Sequence, residues 1–276
     1  MIWKVRDSNI DLDKPVLMGI LNISPDSFSG DGVSGEAAAI EFARAMLAQG
    51  AAIIDVGGES SRPGASAVNV SEELERVVPV VKRLAKMKSV VISVDTRKPE
   101  VAEAVLKAGA HIINDITGLT DGRMAEAVAR HQAGLVIMHM QGSPDTMQLA
   151  PKYDDVVTEV GEFFEQRIHR AWVAGIPKDR IAIDPGIGFG KTMNHNLALL
   201  RATKHFRSRF EQPVLLGVSR KRFIGTLTGH DIATDRIYGT VALTAMMVQS
   251  GANILRVHDV GANRDALEMA WALNSL

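Results

Sequence analysis

The pattern Gly-Ala-x-Ile occurs three times in the chain, as GAAIID at 50–55, GAHIIN at 109–114 and GANILR at 251–256. Each stretch begins with a glycine suited to the end of a helix and passes directly into branched aliphatic residues suited to a strand. Side chains alternate across a strand, so the polar residue that closes each stretch should point the same way in all three. These closing residues are Asp55, Asn114 and Arg256.

Eight apolar runs of this kind alternate with stretches of helical spacing. They are PVLMGILN (15–22), AAIIDVGG (51–58), VVISVD (90–95), HIIND (111–115), GLVIMHM (134–140), RIAID (180–184), PVLLGVS (213–219) and NILRVHD (253–259). Each run ends at or near a polar residue, namely Asn22, Asp55, Asp95, Asn114, His139, Asp184, Ser219 or His258. Eight βα units with polar strand ends predict an α/β fold, a single (β/α)8 TIM barrel over residues 1–276, with its site at the C-terminal strand ends.

A doubly wound sheet is the alternative, but it requires a glycine-rich turn after the first strand, where ISPDSFSGDG (23–32) stands instead. The stretch IAIDPGIGFGKT (181–192) comes within one residue of a phosphate-binding P-loop, because Pro185 occupies the position of the first glycine. The first dozen residues predict a short hairpin that closes the bottom of the barrel.

Local signals predict where individual helices begin and end. Ser71 is the predicted N-cap of the helix SEELERVVPVVKRLAK (71–86). Pro99 fits the first turn of the following helix, and Gly109 fits its C-terminal cap.

Composition narrows the classes of function. The chain has 276 residues, 46% of them hydrophobic, a net charge of −1 and no cysteine. These values exclude disulfides and thiolate metal sites, and no basic run suggests nucleic-acid binding. The N-terminus lacks the apolar core of a signal peptide, and no apolar run is long enough to cross a membrane, so we expect a cytoplasmic protein with no membrane partner.

Three polar groups at separate strand ends, Asp95, Asn114 and Asp184, should converge in the barrel mouth. Buried carboxylates need donors, and a flat heterocycle with amino and ring N–H groups would supply them. The alternative is that each group caps a loop or bonds local backbone amides.

A second set of candidate residues is cationic, which indicates that an anionic group binds beside the heterocycle. Its members are Arg62, Lys221, Arg256 and His258. Arginine binds phosphate or carboxylate through a bidentate fork, and Mg²⁺ can bind through one or two protein oxygens plus substrate phosphates. No zinc spacing is present, and GVSRK (217–221) is not a serine-hydrolase elbow.

Eight motifs, in order from about residue 15 to about residue 260, resemble those of the dihydropteroate synthase family. They are MGILNISPDSFSGDG, IIDVGGESSRPGA, SVDTRKPEV, HIINDITGL, MHMQGSPDTMQ, IDPGIGFGKT, GVSRKRFIG and RVHDV. Members of that family are (β/α)8 barrels that join 4-aminobenzoate to 6-hydroxymethyl-7,8-dihydropterin diphosphate in folate biosynthesis. The resemblance therefore implies a transferase that releases pyrophosphate and is a target of sulfonamides, which mimic 4-aminobenzoate.

The resemblance also implies a role for individual residues. Those expected to bind the pterin are Asp95, Asn114, Met138, Asp184, Phe189, Lys221 and Arg256. The diphosphate would contact Asn22, Arg62, Arg256 and His258, with Asn22 also a ligand of Mg²⁺. The aminobenzoate would lie among Phe28, Ser61, Pro63, Ser219 and Lys221. The residues expected to act in catalysis are Asn22, Arg62, Lys221, Arg256 and His258.

The implied mechanism is a dissociative displacement at the pterin methylene, followed by attack of the 4-aminobenzoate amine. The loops at 22–32 and 57–66 are expected to close over the second pocket only after the pterin is bound, which predicts ordered binding.

The chain departs from the usual family pattern at four places. Ser24 and Ser61 replace threonine, and Gly30-Asp31 replaces Asp-Gly, which displaces the loop carboxylate by one residue. Arg222 stands where many members have serine, and its positive charge either meets the aminobenzoate carboxylate or points away.

Two other functions are compatible with the same barrel and the same pterin-binding residues. A corrinoid-dependent methyltransferase has no use for diphosphate contacts, so Arg62, Lys221, Arg256 and His258 argue against it. A non-catalytic pterin-binding barrel would be expected to lack residues such as Asn22, which is present.

The late segment DRIYGTVALTAMMVQSGANI (235–254) is more apolar than one packed helix face requires. Its apolar cluster comprises Val241, Leu243, Ala245, Met246 and Met247. Because the family is commonly dimeric through its late helices, we expect a homodimer that uses this region.

Overall fold

The computed structural model describes residues 1–23, 35–60 and 67–274 of the chain. Several residues named above lie outside these ranges. They are Ser24, Phe28, Gly30, Asp31, Ser61, Arg62 and Pro63. No helix within the described ranges is both long and apolar enough to cross a membrane.

The chain begins with an antiparallel hairpin of two short strands, β1 (Ile2–Val5) and β2 (Ser8–Asp11). The eight described strands that follow are parallel and form one sheet. They are β3 (Val16–Asn22), β4 (Ile53–Gly57), β5 (Val91–Asp95), β6 (Ile112–Asp115), β7 (Gly134–Met138), β8 (Ile181–Asp184), β9 (Leu215–Leu216) and β10 (Ile254–Val257).

The order of the strands in space closes the sheet into a barrel. Each strand from β3 to β7 pairs with the next along the chain, and β10 pairs with both β3 and β9. A bridge from Val214 to Ile183 joins the segment before β9 to β8 and completes the ring. The predicted (β/α)8 barrel is confirmed.

Helices surround the barrel on its outer face. They are α1 (Glu36–Ala48), α2 (Val70–Leu84), α3 (Pro99–Ala108), α4 (Gly122–Arg130), α5 (Val156–Val173), α6 (Met193–Arg201), α7 (Thr203–Phe210), α8 (Arg222–Thr228), α9 (Ile237–Gln249) and α10 (Val260–Asn274). The larger apolar core lies between this helical layer and the outward side chains of the strands.

Helix ends follow the predicted signals with one exception. Pro99 begins α3, and Gly109 ends it with a left-handed φ of 114°. The predicted N-cap Ser71 is wrong, because Asn69 caps α2 by accepting a hydrogen bond from the Glu72 amide at 2.9 Å. Both residue types are good N-caps, and the helix begins earlier than predicted, at Val70, which packs against the core.

The strand predicted at 213–219 is much shorter in the structure. Only Leu215 and Leu216 form its ladder. Gly217 follows them, and glycine has no side chain to pack in a strand.

The hairpin seals the N-terminal end of the barrel, as predicted. Its residues Trp3, Val5, Ile10 and Leu12 are buried in one cluster with inward side chains from the lower half of the strands. Those side chains are Met18, Ile53, Ile112, Val136, Ala182, Leu215 and Ile254. The bottom of the barrel is therefore a packed apolar plug, so the site must be at the other end.

Candidate active site

The lumen changes from apolar to polar within two residues along its strands. The inward pairs are Ile53 and Asp55, Ile112 and Asn114, Ala182 and Asp184, and Ile254 and Arg256. Because inward side chains recur every second residue, the second member of each pair lies one layer closer to the C-terminal end. The predicted convergence of polar groups at the barrel mouth is confirmed.

Arg256 connects two carboxylates across this polar layer. Its Nε donates to Oδ2 of Asp55 at 2.6 Å, and its Nη2 donates to Oδ2 of Asp95 at 2.9 Å. Burial raises the pKa of Asp95 to about 7, although the Arg256 charge opposes the rise and the Asp55 charge adds to it. A carboxyl group with a pKa near neutrality can change charge when a ligand binds.

Asn114 extends this ion triad and leaves acceptors available. Its Nδ2 donates to Oδ2 of Asp55 at 3.3 Å. The remaining oxygens, Oδ1 of Asn114 and Oδ1 of Asp55, are buried without a hydrogen-bond partner among the described residues. An unpaired buried oxygen costs free energy, so a ligand with N–H donors is the natural complement of this surface.

Asp184 presents another buried carboxylate to the same space. Its Oδ1 accepts a hydrogen bond from the Gly186 amide at 2.7 Å. Burial raises its pKa to about 6, and the Gly186 amide and the cations Lys221, Lys191 and Arg256 limit the rise. Asp184 is therefore ionised above about pH 6 and able to accept N–H donors.

A cation and an aromatic ring form the wall beside Asp184. Nζ of Lys221, the residue that precedes α8, lies 4.0 Å from the centroid of the Phe189 ring. Met138 is buried at the end of β7 and is paired in register with Asp184. An apolar face beside carboxylates suits a flat, polar heterocycle.

The ends of the last two strand segments are tied together by their polar residues. Oγ of Ser219 accepts a hydrogen bond from the His258 amide at 3.1 Å and lies 2.9 Å from Nδ1 of the same residue. Arg220 binds Asp259 through two hydrogen bonds, of 2.9 Å and 2.6 Å. Both predicted residues, Ser219 and His258, are thus held at the mouth by paired loops.

Asn22 ends β3 at the mouth of the barrel. A Cβ placed on Gly57 would lie 3.3 Å from Oδ1 of Asn22 and 3.9 Å from Cβ of Asp95, so the amide oxygen faces the Asp95 side of the mouth. Within the described part of the chain, no three acidic or histidine side chains form a group that could hold a metal.

A buried ion network flanks the second loop and was not predicted. Glu59 accepts from Arg97 at 3.0 Å, from Lys98 at 2.8 Å and from the Val68 amide at 3.0 Å. Burial alone would raise the pKa of Glu59, but the hydrogen bonds from Arg97 and Lys98 bring it down to about 2. Lys98 also pairs with the fully buried Glu73 of α2. The network links Glu59 to Val68, on opposite sides of residues 61–66.

The structure brings the predicted pterin residues that it describes to one end of the lumen and adds Asp55 to the same polar layer. The sequence predicts no role for Asp55, although its strand position matches those of Asn114 and Arg256. That shared position was the available signal. Its pairing with Arg256 joins residues 201 positions apart. Such a contact cannot be read from local spacing.

The fold and the site define a (β/α)8-barrel enzyme whose lumen carries charges and accepts N–H donors. Comparison with known proteins supports this assignment. Residues 18–258 match the family described as pterin binding enzyme. The chain is 47% identical to the dihydropteroate synthase of Escherichia coli (strain K12) over 268 residues, which cover 97% of this chain and 94% of that protein.

Two solved structures are similar over the whole chain. The Yersinia pestis dihydropteroate synthase in complex with a sulfonamide drug has a TM-score of 0.96 and 44% identity, covering 100% of each chain. The Xanthomonas albilineans dihydropteroate synthase with 4-aminobenzoic acid has a TM-score of 0.92 and 44% identity, covering 100% of this chain and 98% of that one. This chain belongs to the pterin-binding enzyme family and, within it, to the dihydropteroate synthases, which are transferases.

Proposed function

We propose that the polar layer of the lumen is the pterin site of a dihydropteroate synthase reaction. In this reaction 4-aminobenzoate is condensed with 6-hydroxymethyl-7,8-dihydropterin diphosphate. The observation that carries the assignment is the Asp55–Arg256–Asp95 triad, together with the unpaired oxygens beside it. A pterin ring carries several N–H donors on one edge, and these match a surface made of carboxylate and amide oxygens.

Each wall of the lumen takes a part in holding the ring. Asp95, Asn114 and Asp184 accept its N–H groups, because all three are polar residues at or next to the C-terminal ends of their strands. Phe189 and Met138 supply apolar contact, and Lys221 and Arg256 supply positive charge. The apolar plug below keeps the ring at the mouth and its methylene group directed toward the loops.

The diphosphate is proposed to bind where the cations meet the mouth, at Asn22, Arg256 and His258, together with Arg62 from outside the described residues. The 4-aminobenzoate pocket is proposed at Ser219 and Lys221, with Phe28, Ser61 and Pro63, also outside those residues. Ser219 and His258 contact each other, so the two pockets share a boundary at the reacting carbon.

Mg²⁺ is proposed to bind with the diphosphate. The donor set fits this arrangement, because the described mouth offers the Asn22 amide oxygen but no cluster of acidic side chains. Mg²⁺ commonly takes one or two protein oxygens and completes its coordination with phosphate and water. When bound, the ion neutralises part of the diphosphate charge.

Charge placement is the main task of the protein in the reaction. The bond between the pterin methylene carbon and the diphosphate oxygen breaks, and its electron pair leaves with pyrophosphate. The amine nitrogen of 4-aminobenzoate forms the new C–N bond and loses one proton to the medium. Arg256 and His258 stabilise the developing charge on the leaving group, while the carboxylates stabilise the electron-poor pterin.

The experiment that tests the assignment measures pyrophosphate release from the dihydropterin diphosphate with Mg²⁺, with and without 4-aminobenzoate. We expect release that depends on 4-aminobenzoate, tracks dihydropteroate formation and falls when Asp95→Asn is introduced. A wild-type rate in Asp95→Asn would remove this residue from the site. Pterin binding without turnover in the wild-type chain would instead favour a non-catalytic barrel or a methyl-transfer enzyme.

A homodimer through the late helices is proposed on the exposed apolar side chains of α9 and α10. Tyr238, Met246, Met269 and Leu273 are each more than half exposed, at 82%, 56%, 64% and 65%. Met247, in contrast, is buried in the core of the subunit, so only part of the apolar cluster at 241–247 is available to a partner. Light scattering at micromolar concentration should give twice the subunit mass, and a monomer mass would contradict the proposal.

Location in the cytoplasm stays a prediction.

A further inference from the structure

Lys191 is a buried cation with no role in the reaction described above. In the sequence it completes the near-miss P-loop, after Gly190 and before Thr192. In the structure its side chain turns away from solvent, and the residue is only 3% exposed. A buried ammonium group is unfavourable unless its donors are all satisfied, so its position requires a physical reason.

The partners of Lys191 come from two different loops. Its Nζ donates to the Phe189 carbonyl at 2.8 Å and to the His139 carbonyl at 3.3 Å, and it lies 3.0 Å from Nδ1 of His139. An ammonium has three N–H donors, and these three acceptors use all of them. Lys191 therefore ties the loop after β8 to the residue that follows β7.

The same loop carries two of the proposed pterin contacts, Asp184 at its start and Phe189 near its end. The loop can lie so close to β7 only because it contains glycine. Gly186 has a φ of +68°, and a Cβ there would lie 1.9 Å from the His139 carbonyl oxygen. Lys191 holds the loop in this close approach from the other end.

Charge gives Lys191 a second effect, which acts on Asp184. The Gly186 amide donates to Asp184, and a Cβ on Gly186 would lie 3.4 Å from Nζ of Lys191, so the cation lies close to this carboxylate. The cations that act on Asp184 are Lys221, Lys191 and Arg256, which come from three separate segments, and its register partner on β7 is the uncharged Met138. Burial lowers the pKa of Lys191 to about 7, with Asp184 opposing the decrease and Lys221 adding to it. The residue that faces Lys191 from the β7 side, His139, has a pKa lowered to about 3, first by burial and then by Lys191. It is therefore neutral at pH 7 and able to accept.

We infer that Lys191 is a positioning residue for pterin binding, which fixes the loop between Asp184 and Phe189 and supplies a buried positive charge that favours the ionised form of Asp184. This inference rests on the proposed pterin site. The ligand it serves is the pterin ring, and the 4-aminobenzoate pocket should be insensitive to it.

The test compares the full-length wild-type chain with Lys191→Met, which keeps the length of the side chain and removes its charge and donors. The probe is 6-hydroxymethylpterin, with its Kd measured by calorimetry between pH 5.5 and pH 8. We expect the Kd to rise about tenfold to a hundredfold at pH 6.5, where Lys191 is mostly charged, because this is the range expected when hydrogen bonds of a charged group are lost. The acid limb, which is the loss of affinity at low pH, should move to higher pH, because Asp184 loses one of its three cations.

A second variant separates the two effects and covers a folding failure of the methionine variant. Lys191→Gln keeps amide donors in the loop but no charge, so it should recover part of the affinity and leave the acid limb displaced. The control is Lys204→Met, at an exposed lysine of α7, for which Kd and acid limb should match the wild-type values. The KM for 4-aminobenzoate at saturating dihydropterin diphosphate should stay within about twofold in all folded variants.

Two results would overturn the inference. One is a wild-type pterin Kd and acid limb in the folded Lys191 variants, even if they are less stable, because that pattern describes a purely structural lysine. The other is an equal loss of pterin and 4-aminobenzoate binding. Asp184→Asn, measured in parallel, distinguishes this failure from failure of the site itself, since a wild-type Kd in that variant would remove Asp184 from the pterin pocket.

Discussion

The two ends of the barrel lumen are built from the same strands but have opposite chemistry. At the lower end, Ile112 of β6 packs in an apolar cluster with Trp3 of the hairpin. Two residues further along the strand, Asn114 faces a fully buried Asp55 and its partner Arg256. Apolar burial stabilises the fold, whereas buried polar groups with unpaired acceptors oppose it. The residues at the lower end therefore contribute stability, whereas those at the upper end contribute binding.

Removal of the central cation at the upper end should have the largest effect. Arg256→Met leaves Asp55 and Asp95 without their shared donor. We expect kcat/KM to fall about a thousandfold and the free energy of unfolding to fall by about 3 to 5 kcal/mol, because uncompensated buried charge remains. Steady-state kinetics and urea unfolding measure the two quantities. Arg264→Met, at an exposed arginine of α10, is the control. Equal effects of the two substitutions would contradict a special role for the upper end of the lumen.

Removal of the largest side chain at the lower end should affect stability alone. Trp3→Ala empties part of the plug and should lower the free energy of unfolding by about 3 to 5 kcal/mol. Activity per folded molecule should stay within about twofold, because Trp3 belongs to the apolar plug at the other end of the lumen. Trp3→Phe should cost less stability. A selective loss of kcat in Trp3→Ala, with the protein fully folded, would show that the plug also shapes the site.

The upper end should also be sensitive to pH. Asp184 has a pKa of about 6, raised by burial, so it is charged above this pH and protonated below it. If the pterin binds the ionised form of Asp184, the contribution of this residue to affinity is complete well above pH 6 and decreases about tenfold per pH unit below it. Calorimetry with 6-hydroxymethylpterin from pH 5 to pH 8 measures this dependence. Asp184→Asn removes the titrating group and should flatten the profile, and an unchanged acid limb in that variant would assign it to another residue.

The smallest expected effect tests whether proximity to the mouth is enough to affect function. Asn69 caps α2 just beyond the second loop. Asn69→Ala should lower the free energy of unfolding by about 1 kcal/mol, whereas Asn69→Asp, which keeps a cap, should change it little. Neither should alter kcat/KM by more than about twofold. A large loss of activity in Asn69→Ala alone would extend the functional region beyond the lumen.

Sequence patterns predicted the repeating part of this architecture because each strand carries its own local signal. Eight apolar runs with polar ends were sufficient for the barrel, and their alternation was sufficient for the inward direction of Asp55, Asn114 and Arg256. Long-range pairing has no such signal. The network of Glu59 with Lys98 and Glu73 joins a strand end to two helices and depends on the folded chain.

The sequence also did not predict which of two similar residues takes a given structural role. Asn69 and Ser71 are both of residue types that make strong N-caps and lie two positions apart, so local preference does not choose between them. In the sequence, Lys191 stands in Gly-Lys-Thr, a pattern typical of phosphate-binding loops. Its actual partners are carbonyls and an imidazole brought together by the barrel.

The most direct test compares two residues on the same strand. Asn114→Leu and Ile112→Ala change neighbouring inward positions of β6, one in the polar layer and one in the plug. The Kd for 6-hydroxymethylpterin and the free energy of unfolding are measured for both. For Asn114→Leu we expect the Kd to rise about tenfold or more and the stability to change by less than about 1 kcal/mol. For Ile112→Ala we expect a wild-type Kd and a loss of about 2 to 5 kcal/mol. Wild-type affinity in Asn114→Leu, or an equal loss of affinity in both variants, would contradict the division of the lumen into a binding end and a stabilising end.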